Sequence, residues 1–389
     1  MRALLLFLGL MSGWLHAAPV ELLTPWSMAL RPGHPFETRP NERTRPVVVG
    51  DIVYFSNLAG EVLAIHRKQA YVLWRVSVPG GVAGALAYGR SKVFVGDIQG
   101  NLTALNSRDG SVAWTFKATS EWLVAPLVHR DKVYALAAND ELYVLSESSG
   151  KELWHHSQRG DEKMVVRGGG MPAQFGSDVY VGFADGHVVA LGAGDGRVIW
   201  DRKLRSGERF YDIDTPPYVD EERVIVSSYS GQTYSLNRLN GETQWVFPVG
   251  SYGGFLVEGD RVFFAGLDGH FYCVARKDGS LIWKKPYESG VGLQPSKVGD
   301  VLVFTTSGDP LYVLDPKSGD VLATHSLGAG TLAAAGVASG ESVFYCLSNY
   351  GNLFAFEIRP IPPARQRPLR VIPVPSASEP ILREPAGAG

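Results

Sequence analysis

The chain of 389 residues is predicted to be all-β, an eight-bladed β-propeller of four-stranded antiparallel blades whose ring is closed by an N-terminal strand. Three observations predict it. One phrase recurs: GNLTALNSRDGSVAW from Gly100, GHVVALGAGDGRVIW from Gly186, GQTYSLNRLNGETQW from Gly231 and GHFYCVARKDGSLIW from Gly269. Its starts, Gly60, Gly100, Asp140, Gly186, Gly231, Gly269, Asp309 and Gly351, are spaced by 38 to 46 residues. That is the length of one propeller blade. Finally, the last repeat is unfinished, while a spare strand-like segment stands near the N-terminus.

Each strand can be justified in order. Ala85 to Tyr88 opens a blade, and Lys92 to Gly96 supplies a second strand. In the phrase itself Leu102 and Ala104 alternate with Asn101 and Thr103, the two-residue period of a strand. Asp109-Gly110 marks a hairpin turn, because glycine accepts positive φ without cost. Ser111 to Phe116 then forms the outer strand. A stack of independent sandwiches would use similar strands but gives no reason for a fixed period.

The tryptophans give the repetition a physical cause. Trp74, Trp114, Trp154, Trp200, Trp245 and Trp283 occupy one repeat position. A four-stranded blade has two apolar faces, and a large ring on its outer strand can fill the wedge against the next blade. After GNLFAFEI, from Gly351 to Ile358, no tryptophan strand follows. TPWSMAL, from Thr24 to Leu30, is placed as the missing strand, with Trp26 in the shared position. Closure of this kind leaves no open blade edge between the termini. Three departures stand out: Ala70 replaces the turn glycine in the first repeat, Asn139-Asp140-Glu141 stands in place of Gly-Asn in the third, and Ala323 replaces tryptophan in the seventh.

The flanks read differently. Residues 1–18, with Arg2, an apolar run and small residues at Ala17 and Ala18, have the pattern of a secretory signal peptide. Residues 19–359 form the propeller, and 360–389 a proline-rich tail without apolar period, expected to be disordered or extended. Cys273 and Cys346 fall on separate repeats, in the places of Ala104 and of Gly96, and are expected to be buried free thiols rather than a disulfide.

A net charge of −2 offers no basic excess for nucleic acid. No catalytic residue, cofactor site or metal site stands out. Asp109, Asp195 and Asp278 sit at turns, His187 and His270 follow the phrase glycine, and the side chains of the tandem pair His155-His156 would point to opposite faces of a strand. Two linkers between blades are longer than the rest, HHSQRGDEKMVVRGGGMP at 155–172 and DRKLRSGERFYDIDTPP at 201–217. Lying at equivalent points of neighbouring blades, they should emerge side by side on one face. Their charges (Arg159, Asp161, Glu162, Arg167, Arg205, Arg209, Asp212 and Asp214) read as an exposed rim around Met164, Val165, Val166 and Phe210, a composition suited to protein binding.

The repeat is similar to the quinoprotein-type (PQQ-like) propeller repeat. The loop sequences MVVRGGGMP and ERFYDIDTPP, in that order on successive blades, resemble the BamB family, periplasmic propellers of the outer-membrane β-barrel assembly machinery. The resemblance implies a non-catalytic, cofactor-free scaffold in the periplasm, held peripherally at the outer membrane. Its partners would be the POTRA domains of BamA and the assembly complex, with unfolded outer-membrane proteins as further candidates. The residues that match the family's binding element are Met164, Val166, Arg167, Asp212 and Asp214. One departure concerns the lipid anchor common in that family. Trp14 stands where the acylated cysteine belongs in Leu10-Met11-Ser12-Gly13-Trp14, so no lipid anchor is predicted. The alternatives are a periplasmic propeller for another protein or a small ligand, and a quinone-dependent dehydrogenase. The second lacks support, since the chain has no adjacent cysteine pair.

Overall fold

The computed structural model describes residues 19–29, 44–84, 86–158, 170–204, 212–228, 231–328, 330–331, 333–338 and 340–361. Eight antiparallel four-stranded sheets follow one another around a ring. Blade 2 is representative: Ala87–Gly89, Lys92–Gly96, Asn101–Asn106 and Val112–Lys117 pair in sequence order from the channel outward. Its first and last strands are displaced slightly from the sequence-based limits, which ran from Ala85 and from Ser111.

Burial explains the patterning. The short inner strands are half-buried, and the two middle strands are buried on both faces. The outer strand is mostly exposed, with Trp114 buried among exposed neighbours. Two apolar faces per blade therefore produce core clusters shared between adjacent blades, as where Phe94 and Trp114 of blade 2 pack with Val133 and Tyr143 of blade 3.

The wedge is also polar. Trp74 donates its indole N–H to the Ser107 carbonyl in the turn of the next blade, and Trp114 does the same to Glu147. Trp200, Trp245 and Trp283 donate to Arg238, Arg276 and Pro316. The turn glycine has a matching duty. Gly110 has φ +73°, and a Cβ there would lie 2.8 Å from the Trp74 ring. Gly150, Gly196, Gly241, Gly279 and Gly319 meet the preceding blade's tryptophan in the same way. Trp154 is the exception: its buried indole N–H has no hydrogen-bond partner, and Lys132 donates to the corresponding carbonyl, that of Ala193.

The eighth blade is composite. Val20–Ala29 pairs antiparallel with Asn352–Pro360 as the outermost strand, with Trp26 opposite Ala355. Trp26 donates to the Arg67 carbonyl of blade 1, at the ring's joint. Beside it the Arg67 guanidinium grips both carboxylate oxygens of Glu341, a bidentate link between blades 1 and 8.

This joint also accounts for Ala323. In each of the other blades a turn hairpin before the outer strand packs against the preceding blade's tryptophan, with a glycine there in blades 2 to 7 and Ala70 in blade 1. Blade 8 has no such hairpin, because its outer strand comes from the other end of the chain. Ala323 packs instead in a cluster with Val20, Leu22 and Phe354.

Both cysteines are buried and free. The pairing corrects one register. Gly96 lies opposite Leu102, and the equivalent pair in blade 8 is Leu347 with Leu353, so Cys346 stands in the place of Val95 rather than Gly96.

Candidate functional site

The two long linkers carry the candidate site. Residues 159–169 and 205–211 lie outside the described residues, and with them Arg159, Asp161, Glu162, Met164, Val165, Val166, Arg167, Arg205, Arg209 and Phe210. The returning ends of both linkers are described, and they meet. Gly170 donates its N–H to the Ile213 carbonyl at 3.2 Å. A Cβ on Gly170 would come within 2.2 Å of the Thr215 carbonyl oxygen, so only glycine permits this approach.

Ile213 anchors the second linker. Fully buried, it donates its amide to the Phe183 carbonyl and sets its side chain against Gly182, where a Cβ would lie 2.3 Å away. Asp212 and Asp214 flank this anchor. Here the structure corrects the sequence reading: they are not exposed rim charges. Asp212 is only 1% exposed, and Asp214 is half-buried at the wall of the central channel.

Two acids from other elements join them. Asp140 replaces the glycine of the third repeat and keeps its left-handed backbone, with φ +60°. Its carboxylate accepts from the Ala184 amide of blade 4 at 3.3 Å. Asp185 is 4% exposed and accepts from the His187 amide and from Gln158. Burial pushes the Asp140 carboxyl up to about 7, reinforced by Asp185 and Asp212 against the Ala184 hydrogen bond. Burial likewise raises Asp214 to about 7, with Asp212 and Asp140 adding to it. One Asp214 carboxylate oxygen is buried without a hydrogen-bond partner. The base of the two linkers is thus a low-dielectric acidic pocket that favours a proton or a cation.

Among the described residues no group of three His, Cys, Asp or Glu side chains is arranged to hold a metal ion. His187 is taken up by Asp201, 2.6 Å away on the neighbouring strand, and His155 by Glu152. Asp109, Asp195 and Asp278 accept turn amides from Ser111, Arg197 and Ser280. The sequence reading noted Asp140 as a departure at a repeat position otherwise held mainly by glycine but gave it no site role, and Asp185 escaped it.

Comparison with known proteins is consistent with this architecture. Residues 60–285 match the family model described as outer membrane protein assembly factor BamB. The BamB of Legionella pneumophila (strain Paris) is 27% identical over 341 residues, covering 86% of this chain and 88% of that protein. The crystal structure of BamB from Moraxella catarrhalis superposes with a TM-score of 0.75 at 22% identity, covering 87% of this chain and all of that one. The quinohemoprotein alcohol dehydrogenase of Comamonas testosteroni shares the fold, with a TM-score of 0.72 at 16% identity over 86% of this chain and 76% of that one.

Proposed function

The chain belongs to the BamB family of outer membrane protein assembly factors, and from that premise we propose that it is a non-catalytic scaffold that binds the POTRA domains of BamA on the periplasmic side of the outer membrane. The binding element is the pair of long linkers, with Met164, Val166 and Arg167 on the first and Asp212 and Asp214 on the second. The observation that carries this reading is the meeting of the two linkers over buried acids, where Gly170 bonds to Ile213 between Asp212 and Asp214.

Division of labour follows from burial. Asp212 and Asp214 lie too deep to serve as a solvated rim, so they act from beneath. Their negative field suits a guanidinium, and Arg167 on the adjoining linker is the matching cation. An arginine that pairs with such acids, next in sequence to apolar Val166 and close to Met164, would have the character of an interface hot spot. Names of relatives support the assembly role, and the dehydrogenase likeness supports the fold alone.

A pull-down from envelope extract tests this reading without presupposing the partner. The wild-type chain should recover BamA and the assembly complex, and a variant with residues 159–169 replaced by a short glycine-serine linker should not. Equal recovery by both would reject the linkers as the binding element.

A further inference from the structure

The central channel contains a charge that the scaffold reading does not use. Arg45 precedes the inner strand of blade 1 and lines a cavity of about 560 Å³, within the range of small-molecule sites. Its Nε–H donates to the Ala335 carbonyl at 3.1 Å and its Nη1 to Gln294 Oε1 at 3.3 Å. Gln294 is itself fixed by donating to the Phe255 carbonyl. These bonds use two of the five guanidinium N–H donors. Arg45 makes no ion pair among the described residues.

Burial lowers the pKa of the guanidinium, and no carboxylate among the described residues acts against that shift. Asp214 lines the same cavity, but the charges that act on it are those of Asp212 and Asp140. The remaining wall is largely apolar, with Val47, Leu86, Leu123 and Leu293, and it carries two tyrosines, Tyr88 and Tyr252. Arg45 is half-buried, and a partly desolvated cation without an ion-pair partner favours an anion beside it.

We propose that the channel is a binding site for a small organic carboxylate, whose charged end is held by Arg45 and whose apolar body lies against the aliphatic wall. The site shares Asp214 with the linker acids, at the wall of the channel, and its charged end is set by Arg45. A carboxylate can accept in bidentate fashion from the N–H groups that remain on Nη1 and Nη2. A bare inorganic anion would leave the apolar wall unused.

Ligand-observed NMR on the purified full chain tests this with benzoate and hexanoate, each beside its neutral amide. The carboxylates should bind saturably and the amides should not. Arg45→Gln should weaken carboxylate binding at least about tenfold, a change of about 1.4 kcal/mol, and Arg45→Lys should retain part of it. Absence of saturable binding by both carboxylates on the wild-type chain would overturn the proposal. So would equal binding of acid and amide, a comparison that needs no variant to fold.

Discussion

Trp26 and Arg67 stand far apart in sequence, yet the Trp26 indole donates to the Arg67 carbonyl at 2.7 Å. This bond crosses the joint where the chain's two ends complete one blade. It reproduces the tryptophan-to-turn hydrogen bond of Trp74, Trp114, Trp200, Trp245 and Trp283, and the Arg67–Glu341 ion pair lies beside it. Deleting residues 19–29 would open the ring and expose the edge of Asn352–Pro360. The truncated chain should aggregate or melt well below the full chain, as scanning calorimetry would report. A melting temperature unchanged by the deletion would show that the ring does not depend on this strand.

The repeat tryptophans are not equivalent. Trp200 is 6% exposed, and its indole donates at 2.8 Å to the Arg238 carbonyl. Trp200→Ala should cost about 3–5 kcal/mol through cavity formation. Trp200→Phe should lose about 1 kcal/mol or more, since the carbonyl loses its donor. Trp154 has no such bond, so Trp154→Phe should cost clearly less than Trp200→Phe. Urea denaturation midpoints of the two phenylalanine variants decide this.

Ala323→Trp should destabilise the protein by about 1–3 kcal/mol. The residue faces a blade without a turn hairpin, and it already packs against the cluster that takes in Val20 and Leu22. A gain in stability would mean that a wedge site is open there after all.

Much of the ring was legible in the sequence because a repeat repeats its reasons. The phrase gave the period, Asp109-Gly110 the turn, and Trp26 the closing strand. Ala323 was visible only as a departure, because its cause lies in the next blade's missing hairpin. The candidate site was less legible. Asp212 and Asp214 look like surface charges in a polar loop, and their burial comes from Ile213 anchoring between them. Asp140 belongs to a different blade, and only the ring brings its carboxyl to theirs. Arg45 resembles any arginine before a proline until the inner strands enclose it.

The acids make a pH prediction. Asp140 titrates near 7 in the folded chain, against about 3.9 when unfolded. The folded state therefore holds the extra proton between those values, and stability falls as pH rises from about 4 to about 7. Asp140→Asn removes the penalty and still tolerates the left-handed backbone. It should raise stability at pH 8 by on the order of 1–2 kcal/mol and change it little at pH 4. Denaturation curves at both values check the sign, and an equal gain at both would assign the effect to backbone strain.

Titration of the purified chain against the isolated periplasmic domains of BamA tests the binding element most directly. Arg167→Ala should weaken binding at least about tenfold, or about 1.4 kcal/mol, while the melting curve stays near that of wild type. Asp214→Asn should act in the same direction, and a double-mutant cycle should show the two effects to be coupled. Wild-type affinity in a folded Arg167→Ala variant would contradict the assignment of the two linkers as the surface that binds BamA.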